Sequence, residues 1–251
     1  ALLAGTADIS LIGPETTIYI FNQEGDKKIK VFHQLTETDG SFLLSREPME
    51  NFQWSDLAGK SIVSWRPGSA PQMVMNSILL KNNVENVELI TNIAATAMVG
   101  AFNSGQGDFI QVYEPLVSML DTSGGAHYVA SLADGIGRFP ETSFVATAEF
   151  IENNPDTVRR WSNAVRKATE WLLNASNEEA AEALAPHFEG TELELIAMSV
   201  ERYKAINAWD LDPKMNEEQL TILQDVLVEN GVLKPEEKVT LDDITDFSFM
   251  Q

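Results

Sequence analysis

Two hydrophobic periods alternate along this chain. Residues 7–12 (ADISLI), 29–35 (IKVFHQL) and 42–45 (FLLS) are short apolar or alternating runs of strand type, and 61–65, 87–90, 108–112 and 143–147 repeat that pattern. Helical spacing predicts a short helix over 16–22, a longer one opening after Arg66-Pro67-Gly68-Ser69-Ala70-Pro71 and running to 82, and a small-residue helix over 94–103. Between 61 and 115 the order is strand, helix, strand, helix, strand, which predicts a compact βαβαβ unit. From Ala148 onward the pattern is helical. Asn154 caps, Pro155 suits the first helical position, and Val158, Trp161, Val165, Ala168 and Leu172 fall on one face. Further helices are expected over 178–185, 192–206 and 217–229, where Asn216 with Gln219 makes a capping box and Gly231 a stop. The polar, acidic tail from 234 is expected to drape over the surface. The whole predicts an α/β protein with largely parallel sheets and a helical C-terminal part.

Two segments, 38–48 and 134–143, enter and leave the βαβαβ unit, and both carry Gly and Pro. Two strands crossing between lobes there make a hinge. The expected division is lobe 1 from 1–44 and 135–251, and lobe 2 from 45–134. The opening Ala1-Leu2-Leu3-Ala4-Gly5 reads as the last turn of a helix that stops at Gly5.

Charge narrows the function. The 251 residues include 38 acidic and 17 basic side chains, a formal net charge of −21. A nucleic-acid binder needs clustered Lys and Arg, so that class is excluded, and docking on an anionic membrane surface is disfavoured. Two readings of the charge stay open, plain solubility and a preference for cationic ligands. The chain has no cysteine, which removes thiol catalysis, disulfides and Cys-based zinc sites. No apolar run approaches the ~18–20 residues of a membrane span. The opening also lacks the charged region of a secretion signal. His33, His127 and His187 stand far apart with no second ligand at a metal-like spacing, so no metal site is expected and His33 reads as structural. No nucleophile elbow, phosphate loop or dinucleotide fingerprint occurs, and no catalytic residue or cofactor is assigned.

Three strand-end loops carry the candidate binding chemistry. After residues 61–65, Gly68 lets a ligand approach the backbone, and Ser69 is placed to cap the next helix, whose first amides suit an anion or a carbonyl oxygen. The loop sits where open α/β sheets bind ligands, although an ordinary capped helix uses the same residues. Gly13-Pro14-Glu15-Thr16 follows the first strand. Glu15 there is either a capping carboxylate or an acceptor for a ligand N–H. Trp65, and Tyr113 of Tyr113-Glu114-Pro115, offer flat faces to a planar ligand or pack in the core.

These residues also carry a resemblance. Leu2-Leu3-Ala4-Gly5-Thr6-Ala7-Asp8-Ile9, Asp56-Leu57-Ala58-Gly59-Lys60-Ser61-Ile62, Gly68-Ser69, Ser104-Gly105-Gln106-Gly107-Asp108, Glu114-Pro115 and Asn154-Pro155-Asp156 stand in an order similar to that of the solute-binding proteins of nitrate, sulfonate and taurine importers, a group that includes thiamine-pyrimidine binders. The resemblance spans about residues 1–173. It implies a type II periplasmic-binding-protein fold of two lobes closing on a small molecule, with an ABC permease and its ATPase subunit as partners. It also implies a monomer held by a lipid anchor outside the cytoplasm. Ligand contacts implied by it are Gly13, Pro14, Glu15 and Thr16 from one lobe. Trp65, Arg66, Gly68, Ser69, Asn92, Tyr113 and Glu114 come from the other, with Asp39 and Gly40 near the hinge. Family members begin with a strand, a helix and a second strand before the point matching Gly5, so an amino-terminal βαβ segment is expected to be absent here. Between a sulfonate or nitrate and a nitrogen heteroaromatic ligand, the carboxylates and aromatic faces favour the second. The rivals are a ligand-sensing domain and a pyrimidine-synthase-like enzyme on the same fold.

Overall fold

The computed structural model describes residues 1–23, 25 and 27–250. In chain order the elements are β1 (Ile9–Ile12), α1 (Glu15–Asn22), β2 (Ile29–Gln34), β3 (Phe42–Ser45), β4 (Ser61–Val63), α2 (Ala70–Lys81), β5 (Glu88–Ile90), α3 (Met98–Asn103), β6 (Phe109–Val112) and α4 (Leu116–Thr122). They continue with β7 (His127–Ser131), α5 (Leu132–Ile136), β8 (Ser143–Thr147), α6 (Ala148–Asn153), α7 (Pro155–Asn174), α8 (Asn177–Leu184), α9 (Leu193–Ala205), α10 (Glu217–Glu229) and α11 (Leu241–Ile244). The chain forms two units. Unit 1 holds Ala1–Thr38, Arg138–Asn174 and Asn207–Gln251, and unit 2 holds Asp39–Gly137 and Ala175–Ile206.

Unit 1 is built on a three-stranded sheet in the order β1-β8-β2. The middle strand β8 buries Val145 and Ala146 completely and runs antiparallel to both neighbours. Phe32, Ala146, Ile151, Val158 and Phe249 form its core cluster. At the amino end, the Thr6 amide donates to the Ala1 carbonyl at 3.1 Å and the Gly5 amide to the Leu2 carbonyl at 3.0 Å. Gly5 has φ +69°. This pair of bonds is the helix-ending motif that the opening residues predict.

Two expectations for unit 1 are corrected. Trp161 is 41% exposed and Ala168 is also exposed, whereas Ser162 and Thr169 join Val158 among the buried residues of α7. Ser162 is buried because its hydroxyl meets His33 Nδ1 at 2.8 Å, and that contact turns the helix away from its most apolar stripe. The tail is not draped on the surface. Thr245 bridges Val31 in parallel register, the Asp246 amide donates to the Val31 carbonyl, and Phe249 is buried with its ring 6.2 Å from that of Phe32. The free edge of β2 recruits it, because open strand edges leave donors and acceptors unpaired.

Unit 2 contains the predicted βαβαβ unit, within a five-stranded sheet ordered β5-β4-β6-β3-β7. β4 runs parallel to β5 and β6, whereas β3 runs antiparallel to β6 and β7. The largely parallel sheets expected from alternation are therefore mixed, because β3 and β8 return in the opposite sense. Phe42, Val63, Met98, Phe102 and Ile110 lie in the core cluster. The elements α4, β7 and α5 were not foreseen. α5 has five residues, too few to display a period, and β7 pairs only with β3 at the sheet edge.

Residues 175–206, expected in lobe 1, belong to unit 2. Arg202 of α9 pairs with Glu114 and with Asp121, each at 2.9 Å, and the Tyr203 ring lies 5.7 Å from that of Phe42. The chain therefore passes between units after Thr38, Gly137, Asn174 and Ile206, where two passages were expected.

Candidate functional site

The β4–α2 turn joins a parallel strand to a helix in unit 2. Gly68 adopts φ +75° there, a conformation that strains any residue with a Cβ, and its amide donates to Gln72 Oε1 at 3.0 Å. Ser69 occupies the helix-capping position with extended backbone, but its hydroxyl donates to the Arg66 carbonyl at 2.8 Å and caps nothing. That corrects the expected role of Ser69: the hydroxyl closes the turn on itself. Arg66 and Gly68 are exposed. The Trp65 ring lies 5.1 Å from the Tyr113 ring, edge to face, and both side chains are half-buried. Trp65 Nε1 is buried with no hydrogen-bond partner. Asn92 stands exposed in the loop after β5.

Asp39 and Gly40 are fully enclosed beside this turn. Register pairs Phe42, the start of β3, with Val112, the carboxyl end of β6, so Asp39 lies at the carboxyl end of the parallel strands. Its Oδ1 accepts the Ser41 amide at 2.8 Å and the Ser41 hydroxyl. The Ser41 hydroxyl accepts Gln111 Nε2 at 2.9 Å, and the same nitrogen donates to the Pro71 carbonyl. Gln111 Oε1 in turn accepts the Ser64 hydroxyl at 2.7 Å. This chain of bonds ties Asp39 to the first turn of α2. Burial pushes the Asp39 carboxyl up to about 6, while the two Ser41 donors pull the other way. Sequence reasoning missed Ser41, Ser64 and Gln111. The available signal was Gln111 itself, a polar side chain at a fully buried position in the strand FIQV.

Glu114 does not face a ligand. Its side chain is 1% exposed, and it accepts the Ser118 amide and hydroxyl at 2.9 Å, the Ser199 hydroxyl at 3.3 Å and the Arg202 ion pair. Burial raises its pKa and those partners oppose the rise. A carboxylate with its oxygens so occupied anchors α9 to α4 and has little left for a solute.

In unit 1, Gly13-Pro14-Glu15-Thr16 links β1 to α1. The Thr16 amide donates to the Gly13 carbonyl and the Thr17 hydroxyl to the Pro14 carbonyl at 2.6 Å, which closes the first turn. The Glu15 carboxylate folds back over Gly13, where a Cβ would meet Glu15 Oε2 at 2.2 Å. Burial raises the Glu15 pKa against its own backbone hydrogen bond, and Oε2 has no partner. Burial, and next the Glu15 charge, push Tyr19 up to about 12.

His33 is buried against Ser162 and Phe144, and burial lowers its pKa to about 4. Among the described residues no cluster of three or more His, Asp or Glu is arranged to hold a metal ion. No helix among them is long and apolar enough to cross a membrane.

Comparison with known proteins fits this geometry. Residues 1–180 match the family described as NMT1/THI5 like. The chain belongs to this family. "Putative binding protein YtlA" of Bacillus subtilis (strain 168) is 36% identical over 236 residues, covering 93% of this chain and 71% of YtlA. Among solved structures, the periplasmic aliphatic sulphonate binding protein SsuA from Escherichia coli has a TM-score of 0.75 at 17% identity, over 98% of this chain and 77% of its own. The alkanesulfonate-binding protein SsuA from Xanthomonas axonopodis pv. citri, bound to MOPS, has a TM-score of 0.73 at 16% identity, over 97% and 82%. The periplasmic nitrate-binding protein NrtA from Synechocystis PCC 6803 has 0.68 at 15%, over 100% and 74%. The fold is therefore of the periplasmic-binding-protein type, and the chain's relatives are binding proteins.

Proposed function

We propose that this protein is the solute-binding subunit of an ABC importer, taking up a small organic molecule on its strand-end loops and passing it to a membrane permease driven by an ATPase subunit. One observation carries the reading. The turns at the strand ends of each unit hold buried polar atoms with no protein partner: Glu15 Oε2 in unit 1, and Asp39 Oδ2 and Trp65 Nε1 in unit 2. Buried polar groups are almost always paired, so unpaired ones gathered on ligand loops call for a partner from outside the chain. Gly13, Pro14, Thr16, Gly40, Arg66, Gly68, Ser69, Asn92 and Tyr113 complete the proposed contacts. Glu114 is left out for the reason above.

The reading is of binding without chemistry on the solute. The absence of any cysteine and the naming of the relatives as binding proteins support it. It puts the protein outside the cytoplasm as a monomer, lipid-anchored at the membrane surface, as the periplasmic neighbours suggest. Isothermal calorimetry against a panel of amines, amidines, aminopyrimidines and alkanesulfonates tests it. The expected result is saturable binding of at least one compound, recovered unchanged on denaturing the protein. A panel that gives no binding refutes the reading, and a compound returned chemically altered replaces it with an enzyme.

A further inference from the structure

We propose that Asp39 is the specificity-determining residue of unit 2, accepting an N–H from the solute through Oδ2, so that the protein selects amines, amidines or amino-substituted heterocycles and rejects oxyanions there. This rests on the solute-binding reading and deepens it.

The argument is a count of donors. Asp39 is 0% exposed, and Oδ2 has no partner while Oδ1 has two. Every donor in the surrounding network is already committed. The Ser41 amide and hydroxyl go to Oδ1, the Gln111 amide hydrogens go to Ser41 and Pro71, and the Ser64 hydroxyl goes to Gln111. None can turn to Oδ2 without orphaning another buried group. A carboxylate has lone pairs for about four hydrogen bonds and no hydrogen of its own to give when ionised. The missing partner is therefore a donor that the protein does not supply. A sulfonate or nitrate oxygen brings none, and its charge repels the carboxylate. Glu15 repeats the pattern independently in unit 1, where a buried carboxylate carries a bare Oε2 over a glycine that leaves room for it. The net charge of −21 favours approach of a cationic solute. The neighbours of similar fold are named for alkanesulfonates and nitrate, so on this inference the present chain takes the opposite ligand chemistry.

The test is calorimetry on the full chain, wild type and Asp39→Asn, with 4-aminopyrimidine, benzamidine, butylamine, butanesulfonate and nitrate. The expected result is binding of a compound that carries N–H groups, weakened about ten- to hundredfold by Asp39→Asn, which keeps an acceptor for Ser41 but loses the bare oxygen and the charge. Circular dichroism checks that the variant is folded. An infrared difference spectrum of the wild type needs no variant. Adding the bound compound shifts an aspartate carboxylate band, and an unshifted spectrum overturns the inference. Sulfonate or nitrate binding that survives Asp39→Asn overturns it while leaving the solute-binding reading intact. Affinity for an N–H compound unchanged in the variant means water serves Oδ2, and also overturns it. No binding of any probe brings down both.

Discussion

Asp39→Asn should change how stability depends on pH, apart from any ligand. The folded wild type holds this carboxyl at about 6 against an ordinary value of 3.8, because burial disfavours the charged form. The folded state therefore binds protons more tightly than the unfolded chain. Stability from this group is fully present below the unfolded value and is lost as pH rises through the folded one. The shift is about two units, so the loss is about 3 kcal/mol between roughly pH 4 and pH 7. Asparagine does not titrate. Its amide may orphan a donor at Oδ2 or pack neutrally, but that offset is the same at every pH and cancels. His33 acts in the same window with the opposite sign and cancels too, being common to both proteins. The observable is the variant-minus-wild-type stability, from urea titrations followed by tryptophan fluorescence in ligand-free protein. It should climb by about 3 kcal/mol across that range. A flat difference means that Asp39 is solvated or paired in solution, and the burial argument fails together with the case for a bare Oδ2.

Three further outcomes are expected. His33→Gln should abolish an acid sensitivity of the wild type: the folded pKa of about 4 lies below the ordinary 6.5, so stability present above the latter falls by up to about 3 kcal/mol as pH drops toward the former, read by the same titrations. Glu114→Gln should cost about 2 kcal/mol and lower the melting temperature, because Arg202 keeps Asp121 but loses its buried partner. An unchanged melting temperature would return Glu114 to the ligand contacts. Gly13→Ala should alter stability by less than ~1 kcal/mol, since only the flexible end of Glu15 must move, yet weaken solute binding about tenfold by displacing that carboxylate. Equal affinity by calorimetry would remove Glu15 from the site.

The amino-acid sequence by itself determined the elements whose signals are local. Residues 42–45, 143–147 and 217–229 appear at the predicted bounds, because strand alternation and the Asn216–Gln219 capping box act over a few residues. The strand-end loops were legible for the same reason, as glycine and proline mark them. Only the tertiary structure decided which groups those loops leave unpaired. Gln111 is 70 positions from Ser41, Ser199 is 85 from Glu114, and Ser162 is 129 from His33. Each of these contacts overrode a local reading. Gln111 helps saturate the donors around Asp39, the Glu114 cluster helps place 175–206 in unit 2, and His33 helps set the buried face of α7. A hydrogen bond depends on two partners meeting, and periodicity along one segment carries no record of what arrives from another.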